Sequence, residues 1–350
     1  MKPGNQTPVT EFILEGLPNT RELPSLFFLL FLLLYLLTLL GNTLTLLTVI
    51  CDPRLHALPM YCFLGHLSFL DACLSSVTVP KILAGLVGPS GRAISFGGCV
   101  AQLYTFLFLC STECFLYTVM AYDRFLAVCQ PLRYSVVMSR KTCLWLAAGT
   151  WLTGSIHAAI QTFLTFRLPY CGPNKVEYFV CDIPAVLKLA CADTAVNQVV
   201  ILANIGAVGV SCFLLICVSY AYVASAIRKI RTAQGRQRAF STCSAHLTLV
   251  LLYYGPPVFI YLHPSSSQAS DGVVAVFYTA VTPLLNPFIY TLRNKEMKKA
   301  LRKVLHSSRK PVSPSSRPCK PLRLLAHCSM GWPMLVRLCL HVEAKLHAEC

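Results

Sequence analysis

Four ionisable side chains stand out because of where they lie in the sequence. Asp123 and Arg124 are adjacent opposite charges at the end of a long apolar segment, whereas Asp71 and Glu113 lie inside such segments. A charge in apolar surroundings is costly unless it faces the protein interior with a counter-ion, a hydrogen-bond partner or water. The pattern therefore indicates a conformational switch, in which a charged pair holds a helix end in one state until a partner binds.

The sequence contains no residue pattern typical of an enzyme. No Cys-x-x-Cys pair or Cys/His cluster has the spacing of metal ligands, and no serine, cysteine or aspartate has a set of catalytic partners in a loop. We therefore predict that the chain is not an enzyme and uses no cofactor.

The elements that must position these side chains are membrane helices. Of the 350 residues, 55% are hydrophobic and 13% are charged, whereas about 25% are charged in typical soluble domains. A helix needs about 20 apolar residues to cross a bilayer, and the sequence has seven such segments. The predicted spans are residues 26–50, 60–83, 96–120, 143–166, 196–227, 240–262 and 272–292.

The distribution of charge predicts the orientation. If the N-terminus is outside, nearly all of the net charge of +16 falls in segments that face the cytoplasm, as the positive-inside rule requires. The pI of 9.2 then reflects topology and anionic lipid rather than nucleic acid. An outer N-terminus would also make Asn5, in Asn5-Gln6-Thr7, an acceptor for N-glycosylation.

The predicted fold is an all-α membrane protein, a seven-transmembrane helix bundle with a short amphipathic eighth helix. Residues 1–25 form an extracellular N-terminus without a removable signal peptide, and residues 26–292 form the bundle at the plasma membrane. Residues 293–305 form a basic helix beside the membrane. Residues 306–350 form a cytoplasmic tail that is predicted to be disordered.

Several motifs occur together in one order and at a characteristic spacing. They are Gly41-Asn42, Pro59-Met60-Tyr61, Leu67 to Asp71, Met120 to Tyr134, Ser219-Tyr220, Arg238 to Leu247 and Pro283 to Asn294. In these motifs the chain resembles the olfactory (odorant) receptors, a branch of the rhodopsin-like G-protein-coupled receptors, over roughly residues 5–305. It departs from that family in Phe125 and Arg238, where tyrosine and lysine are usual, and in its longer tail.

The resemblance implies which residues form the switch. Arg124 would pair with Asp123 at rest and turn toward Tyr220 and a G protein on activation. Pro287, which removes a backbone donor, would kink the seventh helix one turn before Tyr290. The residues implied in switching and G-protein coupling are Asp123, Arg124, Tyr220, Arg238, Ser241, Thr242, His246, Asn286, Pro287 and Tyr290.

The same resemblance places Asp71 and Glu113 together in the middle of the bundle, with Asn42 and Asn286 nearby. They could hold a sodium ion there, or they could form a protonated, hydrogen-bonded carboxyl pair. An alternative function, a seven-helix ion transporter that uses these carboxyl groups as an ion path, is disfavoured because the sequence has no inverted repeat.

The resemblance also implies two disulfides, Cys99 to Cys181 and Cys171 to Cys191, which would lay the second outer loop over the bundle. Counting alone leaves other pairings among the loop cysteines open.

Counting helical turns outward from the motifs predicts the ligand cavity. Its residues are mostly apolar, and the absence of charge favours a small neutral volatile molecule and argues against an amine. A stimulatory, olfactory-type G protein that raises cyclic AMP is implied by the resemblance, and a receptor for a metabolite outside the nose is the alternative. The predicted cavity residues are Phe106, Leu107, Cys110, Ser111, Asn204, Val208, Val258, Tyr261, Val276 and Thr279.

Overall fold

The computed structural model describes residues 9–16, 23–262 and 280–307, without the side chains of 56, 238, 242, 256–262, 291–293 and 305–307. The strands are β1 (Glu11–Leu14), β2 (Ala93–Ser95) and β3 (Lys175–Val176). The helices are α1 (Pro24–Cys51), α2 (Pro53–His56), α3 (Pro59–Val87), α4 (Phe96–Cys129), α5 (Pro131–Val137), α6 (Arg140–Phe166), α7 (Ile183–Leu187), α8 (Ala195–Lys229), α9 (Ala233–Leu262), α10 (Thr282–Arg293) and α11 (Lys295–Ser307).

The long helices follow the predicted spans but extend beyond them. In the described part of the chain, α1, α3, α4, α6 and α8 are long and apolar enough to cross a membrane. Helix α4 continues past the predicted end at Met120, so that Asp123 and Arg124 are helical. Helix α9 begins before the predicted residue 240, and the predicted start of the seventh span at residue 272 lies outside the described residues. Apolar length marks the membrane-buried part of a helix, not its polar end turns.

Local sequence signals explain where these helices begin. Proline occupies the first turn of α1, α2, α3, α5 and α10, where its missing N–H has no helical partner in any case. Ser95 accepts a hydrogen bond from the Gly98 N–H at the start of α4, and Ser139 accepts one from the Thr142 N–H at the start of α6. Both serines are N-caps that satisfy a backbone donor.

A small sheet, which the sequence analysis did not predict, joins the N-terminal segment to two loops. Strand β1 lies in the middle, antiparallel to β2 and parallel to β3. Phe12 on β1 is fully buried, and its ring centroid lies 5.8 Å from those of Phe96 and Tyr170. The strands are too short for an alternating pattern to reveal them. We call this side of the bundle the sheet end.

Helix α4 is the centre of the bundle and packs against α3, α6, α8 and α9. Gly154 allows the close approach of α6, because a Cβ at this position would collide with the Thr112 side chain and lie 2.9 Å from its backbone nitrogen. By contrast, α1 exposes a row of leucines that includes Leu29 and Leu33. Such an apolar outer surface is expected of a helix that faces lipid.

The end of the bundle opposite the sheet is rich in cations, and we call it the basic end. It contains the last turns of α4, α8 and α10, the first turns of α6 and α9, and the short helices α2, α5 and α11. Its described cations include Arg54, Arg124, Arg133, Arg140, Lys141, Arg228, Lys229, Arg231, Arg236, Lys295, Lys298, Lys299, Arg302 and Lys303.

Candidate switch and ligand site

The charged pair at the end of α4 is buried and held by a third residue. Arg124 Nε donates to Asp123 Oδ2 at 3.0 Å, and the Arg124 Nη2 group contacts the same oxygen. Because Pro131 starts a new helix after α4, α5 turns back and Tyr134 donates to Asp123 Oδ1 at 2.8 Å. Burial and the Asp123 charge raise the pKa of Tyr134, so its hydroxyl stays protonated as a donor.

A second contact at the basic end joins α8 to α9. The Tyr220 hydroxyl lies 2.6 Å from His246 Nδ1 and 3.4 Å from the Cys243 carbonyl oxygen, and the Tyr220 and His246 rings are stacked. His246 is buried, whereas Ser241 near the start of α9 is exposed. Tyr220 is thus bonded to α9, while Arg124 is bonded to Asp123.

Pro287, inside α10, is accommodated by the Gly41-Asn42 motif of α1. Pro287 has no N–H, so the carbonyl group of Pro283, four residues earlier, lacks its helical donor. Asn42 Nδ2 supplies one, at 2.9 Å. A Cβ at Gly41 would lie 3.0 Å from Pro287 Cγ, so glycine lets α1 and α10 approach here. Gly41-Asn42 and the proline-containing motif of α10 therefore form one packing contact between the two helices.

A buried hydrogen-bond chain links the two intramembrane carboxyl groups. Asn286 Nδ2 lies 2.9 Å from both Asp71 carboxyl oxygens and 3.3 Å from the Tyr117 hydroxyl, which in turn donates to Glu113 Oε1 at 3.0 Å. Asp71 and Glu113 are therefore connected through Asn286 and Tyr117 rather than paired directly. The sequence analysis missed Tyr117, although its position four residues after Glu113 places both on one helix face.

Several buried polar atoms near these hydrogen bonds have no partner among the residues that the structure describes. Thr282 Oγ1, Asn286 Oδ1 and the Tyr290 hydroxyl follow one face of α10, and Asn42 Oδ1 and His246 Nε2 are in the same condition. An unsatisfied buried polar group costs about 1–3 kcal/mol. The centre of the bundle therefore offers polar atoms that water or a hard cation could engage.

The predicted cavity residues on α4 lie inside the bundle. Phe106 and Leu107 are buried and Cys110 is half-buried. Ser111 is also buried, but its hydroxyl lies 2.8 Å from His157 Nδ1 on α6. His157 in turn contacts Gln161 at 3.3 Å. Helix α6 thus contributes polar groups at this depth, which counting turns on the other helices did not reveal.

The two predicted residues on α8 differ in environment. Val208 is half-buried against the core, together with Ile205 and the buried Ile201. Asn204 is exposed, and its amide donates to the Val200 carbonyl oxygen of its own helix at 2.9 Å. The turn count is therefore wrong for Asn204, because the inward stripe of α8 passes through Ile201, Ile205 and Val208.

The remaining predicted site residues fall into two groups, those outside the described residues and those whose side chains are not described. Asn5, Val276 and Thr279 lie outside the described residues, and the same is true of the tail after residue 307. Four further residues lie on described helix backbone without described side chains, namely Arg238, Thr242, Val258 and Tyr261.

One disulfide fastens the loop between α6 and α8 to the start of α4, and a second lies within that loop. Cys99, in the first turn of α4, is bonded to Cys181, and Cys171 is bonded to Cys191. Gln102 also accepts a hydrogen bond from the Cys181 backbone N–H at 3.0 Å. The loop lies across the bundle as a cover.

Comparison with known proteins identifies the family that this chain matches. Residues 31–308 match the family described as "Olfactory receptor". Human olfactory receptor 10S1 is 63% identical over 314 residues, spanning 90% of this chain and 95% of the relative. Human olfactory receptor 10G2 is 61% identical over 85% of this chain and 95% of its own length. Human olfactory receptor 10G7 is 58% identical, covering 87% of this chain and 97% of the relative.

Residues 31–308 include most of α1, the later helices through α11 and the residues of the basic end, whereas β1 precedes them. The family has seven transmembrane helices, acts at the plasma membrane, takes an odorant and a G protein as partners, needs no cofactor, and is not enzymatic. The chain belongs to the olfactory receptor family and is an odorant receptor.

Proposed function

We propose that the receptor binds a small neutral volatile molecule inside the bundle and activates a stimulatory, olfactory-type G protein at the basic end, raising cyclic AMP. The observation that carries this proposal is the pair of separate contacts at that end. Arg124 is held by Asp123, which also accepts a hydrogen bond from Tyr134, and Tyr220 is held by His246. Breaking both would free Arg124 and Tyr220 to meet, which is the rearrangement expected on activation.

The ligand would bind against α4, where apolar side chains lie next to hydrogen-bonding groups. Phe106, Leu107 and Cys110 provide an uncharged surface, and Ser111 and His157 provide hydrogen-bonding groups beside it. A neutral ligand with one hydrogen-bonding function suits such a surface, since burying a charge here would be unfavourable. Val208 would complete the wall from α8.

A chain of contacts leads from this region to the switch. The Tyr253 hydroxyl donates to the Cys110 carbonyl oxygen at 2.7 Å, so α9 is bonded to α4 beside the proposed cavity. The Tyr117 ring lies 5.0 Å from that of Tyr253 and 5.9 Å from that of His246. A ligand that displaces Tyr253 would therefore shift packing against His246, and the receptor would populate its active state when the ligand binds that state better.

Opening of α9 at the basic end would create the surface for the G protein. Ser241 is already exposed there, and Leu132 and Val136 on α5 are 95% and 78% exposed. Exposed apolar side chains beside a cationic helix end suit a partner helix that docks in an opened groove.

The orientation follows from charge. We place the basic end in the cytoplasm and the N-terminus, with Asn5, outside, because cations accumulate on the cytoplasmic side of membrane proteins. The two disulfides of the sheet end would then form in an oxidising compartment. The parts of the chain keep their predicted roles, with residues 26–292 as the receptor domain and residues 306–350 as a cytoplasmic tail.

A sodium ion could stabilise the resting state. Asp71 carries two carboxyl oxygens, and Asn286 Oδ1 and Asn42 Oδ1 are buried without a hydrogen-bond partner in the described part of the chain. Oxygen donors of this kind suit a hard cation. When bound, the ion would neutralise Asp71, while Asn286 and Tyr117 hold the carboxyl groups in place. Protonation of Asp71 and Glu113, which Asn286 and Tyr117 link, would serve the same structural role without an ion.

A cyclic-AMP assay with an odorant panel tests the proposal. Cells expressing the receptor should respond to at least one neutral odorant, and Arg124→Ala should abolish that response. Lys141→Ala, which removes an exposed cation at the same end, is the matched control and should respond normally. An odorant response that survives Arg124→Ala at equal surface expression would refute the role of Arg124.

A further inference from the structure

Helix α11 has one face that consists of cations. These residues are exposed and line a single open cleft. Their spacing of three and four residues keeps them on one side of the helix over two turns. They are Lys295, Lys298, Lys299, Arg302 and Lys303.

The opposite face of α11 is already used by the bundle. Met297 and Ala300 are buried in the core, and α11 contacts α1 and α10. An amphipathic helix that only anchors a protein would turn its apolar side to lipid. Here Met297 and Ala300 of that side are packed against protein and Leu301 and Val304 are half-buried, whereas the cationic side is exposed to the surroundings.

The start of α11 is rigidly held. Asn294 Oδ1 accepts hydrogen bonds from the Glu296 and Met297 N–H groups, at 3.0 and 3.2 Å. Its amide Nδ2 donates to the Tyr61 hydroxyl on α3 at 2.8 Å. Asn294 thus caps the helix and ties it to the bundle, which fixes the direction of the cationic face.

Among the described residues, most of the cations on this face have no carboxylate within ion-pair distance. In the described part of the chain, Lys303 is the only one of the five with a carboxylate within 4.0 Å, namely Asp52 at 3.9 Å. Like charges three and four residues apart on a helix repel each other. A ligand that brings several negative charges into a small volume would remove this repulsion.

We propose that this face binds the headgroup of a polyphosphorylated inositol lipid. A single residue, Asn294, separates the end of α10 from the start of α11. Because α10 leaves the bilayer at this point, a ligand held in the membrane would reach α11. Several phosphates on one ring can contact lysines as point charges and Arg302 as a bidentate partner. A lipid with one negative charge would engage fewer of these cations at a time.

The experiment uses the full-length receptor in nanodiscs and measures binding of fluorescent phosphatidylinositol bisphosphate. The double variant Lys298→Gln/Lys299→Gln should bind about 30-fold more weakly, since each cation near a membrane surface contributes about 1 kcal/mol. Lys298→Arg/Lys299→Arg keeps the charge and should bind like the wild type. Arg228→Gln/Lys229→Gln removes two exposed cations from the end of α8 and should leave binding unchanged.

Four results would overturn the proposal. Equal losses in the α8 and α11 variants, or equal competition by phosphatidylserine at matched total charge, would show attraction to the basic end as a whole. Competition by free inositol trisphosphate as strong as that of the lipid would assign the site to a soluble phosphate. Displacement by an acidic peptide in place of the lipid would assign it to a protein partner. Because binding is measured directly, these results are independent of G-protein activation.

Discussion

The two ends of the receptor are held together in different ways. At the sheet end, strand β1 and a cluster of aromatic rings join the N-terminal segment to two loops, and two disulfides hold the loop between α6 and α8. At the basic end, single polar contacts such as Tyr134 to Asp123 and Tyr220 to His246 join neighbouring helices. Covalent bonds and buried rings resist rearrangement, whereas one hydrogen bond contributes about 1 kcal/mol. In our proposal, the sheet end is the fixed end that shapes the ligand cavity, and the basic end is the switchable end that signals.

The largest effect is expected from Phe12→Ala at the sheet end. Phe12 is fully buried between Phe96 and Tyr170, and removal of a buried phenyl ring costs about 3–5 kcal/mol. The thermal unfolding midpoint of purified receptor should fall. Phe163→Ala, at a ring on α6 that is 66% exposed, is the matched control. Equal midpoints for the two variants would show that the sheet does not stabilise the fold.

Removal of the Cys99–Cys181 disulfide comes next. A lost native disulfide costs about 2–5 kcal/mol, and longer closed loops cost more. The bonded cysteines are 82 residues apart in this pair and 20 in Cys171–Cys191, which predicts a difference of about 1 kcal/mol between the two double Cys→Ser variants. Unfolding midpoints measured without reductant test this order. A larger effect of the shorter loop would contradict it.

At the basic end, we expect a smaller effect, on basal signalling rather than on thermal stability. Tyr134→Phe removes the hydrogen bond to Asp123 that helps to keep Arg124 in its resting place. A loss of about 1 kcal/mol would raise the ratio of active to resting receptor about fivefold. Basal cyclic AMP should therefore rise at equal surface expression. Tyr122→Phe, at an exposed tyrosine of α4, should leave basal activity unchanged, and a basal signal that does not differ between the two variants would argue against the switch.

The smallest change in basal activity is expected for Tyr220→Phe. This variant loses the hydrogen bond to His246 at rest and, by our proposal, the contact with Arg124 in the active state. Two losses of about 1 kcal/mol each would largely cancel. Basal cyclic AMP should change less than in Tyr134→Phe, and a larger change would show that Tyr220 acts in one state only.

Much of the fold was predictable from local patterns. The five helices that are apolar enough to span a membrane coincide with the first five predicted spans, and the family supplies the seven-helix bundle. The sheet was not predictable, because Glu11–Leu14 becomes a strand only when two distant loops pair with it. Strand formation of this kind depends on tertiary partners rather than on intrinsic preference.

In the candidate site, too, local sequence patterns predicted some features, and others depended on tertiary contacts. Motif spacing selected Asp123, Arg124, Asn286 and Pro287 as candidates. Asp123 and Arg124 lie on one helix, and Asn286 and Pro287 lie on another, so a local pattern is enough to find each pair. It missed Tyr117 as a bridge between carboxyl groups. It also misplaced Asn204, because a count of turns does not give the rotation of α8 against its neighbours.

The sequence by itself determined the membrane class, the number of spans and the accumulation of positive charge at one end, because apolar length and charge are properties of segments. Tertiary structure alone decided which distant groups meet. Asn42 donates to the carbonyl freed by Pro287, Asn286 and Tyr117 separate Asp71 from Glu113, and Tyr220 bonds to His246. Each of these contacts requires two helices in one relative rotation and depth, which packing of the whole bundle sets.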